Sequence, residues 1–216
     1  MNAPLISSSA GVWFAIALLS TALLVTSEWR GVRAGVWLCK PLASLGFVAY
    51  GWSLGVDTAA DRWLFAALCA CALGDVLLIP NDDRVFQAGV ASFGLGHAFY
   101  AVAFALRGMH GLTSAISAVV LAVVAWRVYR WLAPGVPAAL KAAVAGYCAV
   151  ITAMVAVAAG TAVATGDVRV AVGAVMFFVS DLSVARDRFV APGFVNRAWG
   201  LPLYYAAQLV LAATIA

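Results

Sequence analysis

Two aspartates stand where carboxylates are costly. Asp75 sits late in one long apolar run and Asp181 late in another. An ionised acid in hydrocarbon costs several kcal/mol, so it marks a functional site with a nearby partner. Two carboxyls close together in a water-poor site cannot both ionise easily. One then holds a proton and the other serves as base, the arrangement that general acid–base hydrolysis requires. Candidate partners lie in other apolar runs: Lys40 before Pro41, His97 and Tyr100 on one stripe, and Tyr204, Tyr205 and Gln208 near the end. Lys40 has two readings, as the cation that neutralises one acid or as a side chain snorkelling to phosphate headgroups. His97, the only histidine besides His110, is read as a buried ring bonded to a carbonyl or as part of the site. Two histidines exclude a multi-histidine metal centre, and no nucleophile elbow, zinc helix or phosphate-binding glycine loop is present. No cofactor or metal is expected.

The elements that must hold these residues are helices in lipid. The chain of 216 residues is 65% hydrophobic and 10% charged, with a mean hydropathy of +1.02. A soluble domain is about 45–50% apolar and about 25% charged. Lipid satisfies no backbone polar group, so only helices or a closed barrel can span it. The apolar runs are continuous and helix-length rather than alternating, which selects an all-α membrane protein. Eight spans are predicted, at about residues 10–27, 34–55, 61–80, 85–106, 112–131, 139–162, 168–185 and 198–215. The turns between them include Asn81-Asp82-Asp83-Arg84 and Arg186-Asp187-Arg188, with an irregular stretch from Pro192 to Asn196. Asp82, Asp83 and Asp187 read as solvated helix ends. The cysteines Cys39, Cys69, Cys71 and Cys148 read as small buried hydrophobes. Residues 2–9 carry no positive segment, so the first run reads as a retained helix rather than a cleaved leader.

Arginine and lysine set the orientation. Arg30, Arg33, Arg84, Arg127, Arg130, Lys141, Arg186, Arg188 and Arg197 fall at one set of loops. Arg62, Arg107 and Arg169 fall at the other. The first set is expected on the cytoplasmic side, with both termini opposite, in an inner (cytoplasmic) bacterial membrane. Lys40, Asp75, Asp181, Tyr204, Tyr205 and Gln208 then share one layer in the cytoplasmic half. The net charge of +4 reflects topology; nucleic acid is not an expected partner, and the oligomeric state is open. Gly74-Asp75 followed by Asp83-Arg84-Val85-Phe86 is echoed by Ser180-Asp181 followed by Asp187-Arg188-Phe189. One transmembrane domain over 1–216 is expected, built from two parallel halves, 1–110 and 111–216.

The same residues carry a resemblance. Lys40-Pro41-Leu42, Gly74-Asp75-Val76-Leu77-Leu78, Phe86-x-x-Gly89-x-x-Ser92-Phe93-x-x-x-His97-x-x-Tyr100, Gly173-Ala174 through Phe178 to Ser180-Asp181, and Tyr204-Tyr205-Ala206-Ala207-Gln208 together resemble the YhhN-type lysoplasmalogenase family. The chain departs from the pattern at Leu182 to Arg186 and at Ala191 to Trp199. The resemblance implies an eight-helix membrane hydrolase that splits the vinyl-ether bond of lysoplasmalogens into a fatty aldehyde and glycerophosphoethanolamine or glycerophosphocholine. It carries the two catalytic acids over to Asp75 and Asp181. Lys40, His97, Tyr100, Tyr204 and Gln208 are then expected to bind the lipid substrate, with the small-residue face of Gly89 and Gly96 as the slot for its chain. Which acid protonates stays open, with a lean to Asp75 as base. A proton-coupled transporter or a lipid-binding membrane protein is the alternative that the residues allow.

Overall fold

The computed structural model describes residues 8–215, so most of the retained-leader stretch at 2–9 lies outside the described residues. Eight α-helices follow one another: α1 (Ser8–Arg30), α2 (Arg33–Ser53), α3 (Ala59–Leu77), α4 (Asp83–Leu106), α5 (Gly111–Leu132), α6 (Lys141–Thr165), α7 (Val168–Phe189) and α8 (Phe194–Ala212). A short 3-10 turn, Ala138–Leu140, precedes α6. Among the described residues there is no strand. Five helices, α1, α4, α5, α6 and α7, are long and apolar enough to cross a membrane by themselves. The other three, α2, α3 and α8, carry Lys40, Ser44, Asp75, Tyr204 and Gln208. Much of the outer surface is Leu, Val and Trp, and of α5 only Ser114 and Leu132 are buried, as a helix facing lipid requires. The protein is an integral membrane protein.

Local chemistry explains several helix ends. Thr58 and Asp61 form a reciprocal capping box at the start of α3. Asp82 accepts from Arg84 and Val85 N–H and so caps α4, while His110 caps α5 and Asp167 caps α7. Gly166 ends α6 at φ +76°, the left-handed turn that glycine takes without steric cost. α3 stops three residues short of Pro80.

One stretch departs from expectation. α8 begins at Phe194, inside the segment predicted to be irregular. The reason is Asn196. Its Nδ2 donates to Asp187 Oδ1 at 2.9 Å and to the Ala191 carbonyl at 2.8 Å, while its Oδ1 accepts from Arg186 at 2.5 Å. Asp187 also accepts from Gly193 N–H at 2.7 Å. Asp187 is thus the anchor of the α7–α8 turn rather than a solvated end. Asp83 is bound by Arg188, which ties the start of α4 to the end of α7.

Packing pairs are α1 with α2, α3 with α4, α5 with α6 and α7 with α8; α2 meets α3 and α6 meets α7. Farther apart in sequence, α8 packs on α1 and α2, and α4 packs on α6. Small residues set the closest approach. A Cβ on Gly74 would meet the Phe93 ring at 2.7 Å, and one on Gly96 would meet Cys71 Sγ at 2.7 Å. The glycine stripe of α4 is therefore filled by α3. It is a packing face and not the open slot expected for a lipid chain. Behind it lies an aromatic core in which Phe177 contacts Tyr204, His97, Phe93 and Tyr100 at ring distances of 5.4, 4.4, 6.3 and 6.3 Å.

Candidate active site

Asp75 is 2% exposed and receives three groups from two other helices. Ser44 of α2 donates to its Oδ2 at 2.7 Å. The Tyr204 hydroxyl of α8 donates to the same oxygen at 2.7 Å. Lys40 Nζ stands 3.7 Å from Oδ1. Lys40 and Ser44 are one turn apart on α2 and so share a face. Each donor favours the carboxylate over the neutral acid. Of the two readings of Lys40, the structure adopts the ion pair. Tyr205 supports the arrangement from behind, donating to the Lys40 carbonyl at 3.3 Å and lying 3.4 Å from Ser44 Oγ. Prolines lie inside both helices that supply these partners, Pro41 in α2 and Pro202 in α8. Each removes one backbone N–H from its helix beside the site.

Two openings are lined by side chains that hold Asp75. A polar cavity of about 110 Å³ is lined by Glu28, Arg33, Lys40, Asn81 and Arg197, where the end of α1, the start of α2, the turn after α3 and the start of α8 converge. An apolar groove between α2 and α3 is lined by Pro41, Ser44, Leu45, Val48, Cys69, Ala72 and Val76. Lys40 faces the cavity and Ser44 faces the groove, and both touch Asp75. Cys69, expected to be buried, is exposed on this groove.

Asp181 has its own partners. The Tyr147 hydroxyl of α6 donates to Oδ2 at 2.5 Å, and His97 Nε2 of α4 lies 3.1 Å from the same oxygen. His97 and Tyr147 are also 2.9 Å apart, which closes a triangle. The His97 ring is fully buried, and its Nδ1 has no hydrogen-bond partner among the described residues.

The two acids, expected from sequence to lie within about one water of each other, take different hydrogen-bonding partners. Asp75 and Asp181 share no hydrogen-bonding partner among the described residues, and the rings of Phe93 and Phe177 pack against Tyr204 on one side. Phe177 packs in a tilted contact against His97 on the other. Matched depth along two helices does not fix which way each side chain turns, and these acids turn to different neighbours. Tyr100 and Gln208 do not join either centre. The Tyr100 hydroxyl donates to Gln208 Oε1 at 2.6 Å, and both side chains are fully buried. Sequence reasoning missed Ser44, Tyr147 and Arg33. The available signals were Ser44 one turn after Lys40 and Tyr147 as a rare hydroxyl in the apolar α6.

The two centres are built alike. Asp75 on α3 is bound from α2 and α8, and Asp181 on α7 is bound from α6 and α4, so each acid is held by the helix before its own and by a helix distant in sequence.

The chain is 32% identical over 183 residues to a Bos taurus protein named lysoplasmalogenase TMEM86A, covering 81% of this chain and 74% of the relative. The Homo sapiens protein of that name gives the same identity and coverage. An Escherichia coli protein described as the uncharacterised membrane protein YhhN is 34% identical over 95 residues, 44% of this chain and 45% of the relative. No solved structure matches. The profile of the YhhN family matches residues 35–215, which take in Lys40, both acids and every side chain that binds them, and the chain belongs to the YhhN family.

Proposed function

We propose that the chain is a lysoplasmalogenase, a membrane hydrolase that cleaves the vinyl-ether bond of an alkenyl glycerophospholipid to a fatty aldehyde and a glycerophospho-alcohol. The names of the bovine and human relatives support the reaction. The observation that carries it is that Asp75 is held by Lys40, which lines a polar cavity, and by Ser44, which lines an apolar groove. A lysoplasmalogen is polar at one end, apolar at the other, and reactive where the two join.

The chemistry then runs through one carboxyl. A proton on Asp75 adds to the β-carbon of the vinyl ether, leaving an oxocarbenium ion. Lys40, Ser44 and Tyr204 stabilise the carboxylate left behind, and the carboxylate stabilises the adjacent cation. Water adds to the cationic carbon and returns its proton to Asp75. The hemiacetal collapses as its carbon–oxygen bond breaks and the hydroxyl proton passes to the glycerol oxygen. Asp181, with His97 and Tyr147, is the second catalytic candidate, a centre through which a proton moves among three groups.

The rest of the reading concerns setting. Eight spans make one transmembrane unit of two parallel halves, about 1–110 and 111–216. The matched partner sets of the two acids support this repeat. The arginine-rich ends, and with them the Asp75 cavity, face the cytoplasm, and both termini face away from it.

The test is aldehyde release from purified protein in detergent. Asp75→Asn is expected to lose about 10²–10⁴-fold in kcat, the usual worth of a general acid–base group, while unfolding at an unchanged temperature. Asp181→Asn is expected to lose less. Equal losses would place both carboxyls in one reaction, and an active Asp75→Asn protein would overturn the proposal.

A further inference from the structure

We propose that the cavity below Asp75 is a phosphate site, built to hold the phosphodiester of the substrate, with Arg33 as its principal ligand; the inference rests on the lysoplasmalogenase reading. Three cations line the cavity, Arg33, Lys40 and Arg197, against one acid, Glu28. Two of the cations already have acidic partners. Lys40 faces Asp75 at 3.7 Å, while Arg197 faces Glu28 at 3.4 Å and Asp187 at 3.6 Å. Arg33 has no carboxylate within ion-pair distance among the described residues. Its guanidinium makes one long bond, Nη2 to the Ile79 carbonyl at 3.5 Å. An unpaired guanidinium at a cavity wall presents its donor fork to an anion, and phosphate oxygens fit that fork in bidentate fashion.

Position gives the anion its identity. Lys40 reaches both the cavity and Asp75. A group bound by Arg33 and Lys40 is therefore joined to the reacting ether by a short linker. In an alkenyl lysophospholipid that linker is the glycerol backbone, which separates the ether oxygen from the phosphate. The chain leaves in the opposite direction, past Ser44 along the groove. The cavity thus recognises phosphate, and Arg33 fixes which carbon–oxygen bond of the lipid lies at Asp75.

The experiment compares a lysoplasmalogen with the corresponding 1-alkenylglycerol, which lacks phosphate, on four proteins: wild type, Arg33→Gln, Arg33→Lys and Arg84→Gln. Wild type is expected to show a KM at least about ten-fold lower for the phosphodiester, the usual size of one charge-assisted contact. Arg33→Gln should remove most of that advantage, Arg33→Lys should restore part of it, and Arg84→Gln, which removes an exposed charge outside the cavity, should retain it. An equal KM for both substrates in wild type, or an equal penalty on both in Arg33→Gln, overturns the inference. A second readout separates it from the reaction itself. The non-hydrolysable 1-O-alkyl lysophospholipid should raise the unfolding temperature of wild type, and that shift should fall in Arg33→Gln. If wild type cleaves neither substrate yet shows this Arg33-dependent shift, the phosphate site stands and the hydrolase reading fails. If neither cleavage nor a shift is seen, both fail.

Discussion

Lys40, Ser44 and Tyr204 differ from Tyr100 and Gln208 in a way that sequence cannot show. The first three all end on Asp75, whereas the last two end on each other. Their replacements should therefore be read by different measurements. A hydrogen bond to a charged group is worth about 1.5–3 kcal/mol. Ser44→Ala and Tyr204→Phe are expected to lower kcat by about 10–100-fold, because each removes a donor that stabilises the Asp75 carboxylate as the proton leaves it. Their unfolding temperatures in detergent should move little by comparison. Gln208→Leu should do the reverse. It leaves the fully buried Tyr100 hydroxyl without its acceptor, at about 1–3 kcal/mol, and a lowered unfolding temperature with kcat retained is expected. A loss of kcat without a loss of stability would put Gln208 in the substrate site after all.

Among the elements, the contact between α3 and α4 decides where Asp75 points. Glycines on both helices let them meet closely, with Gly74 under the Phe93 ring and Gly96 under Cys71. Overpacking such a seam costs about 1–3 kcal/mol. Gly96→Val is expected to lower the unfolding temperature and the activity together, since it pushes α3, and Asp75 with it, away from α4. Gly146→Val on α6, where an added Cβ meets nothing within 4 Å, should leave both unchanged. The ends of the elements carry their own ion pairs. Asp167, outside the membrane at the start of α7, is held below the usual carboxylate range by hydrogen bonds from the Arg169 guanidinium, and Arg169 also donates to the Ala213 carbonyl at the end of α8. A depressed carboxylate contributes stability above its unfolded pKa and loses it as pH falls through the folded value.

At the scale of the whole molecule, the proposed orientation puts the cavity at Arg33 and Asn81 on the cytoplasmic side and Gly108, at the turn between α4 and α5, on the opposite one. Single cysteines at Asn81 and Gly108, in a chain freed of Cys39, Cys69, Cys71 and Cys148, test this with a membrane-impermeant thiol reagent on intact cells. Gly108→Cys is expected to label and Asn81→Cys to label only after lysis; the reverse pattern would invert the topology and move the phosphate site to the other leaflet. The matched construction of the two acid centres bears on the same scale. α2 and α8 clasp Asp75, and α6 and α4 clasp Asp181, so each centre draws on helices far apart in sequence. One centre has Lys40 and two openings, while the other has His97 and Tyr147. We read the first as the reacting site and the second as its divergent copy.

The amino-acid sequence by itself determined the eight helices, because each helix in lipid satisfies its own backbone and depends only on a local run of apolar residues and a cap. It also marked Asp75, Asp181, Lys40 and His97, because polar groups in such runs are costly wherever they end up. It did not determine which of them meet. Asp75 is bound by a serine 31 residues away and a tyrosine 129 residues away. Those pairings depend on how each helix is rotated about its axis, and the rotation is set by the glycine seams and the aromatic core. Only the tertiary structure therefore gave the two acids different partners, turned Lys40 toward Asp75, closed the expected slot along α4, and set Lys40 at a polar cavity and Ser44 at an apolar groove while both hold one carboxyl.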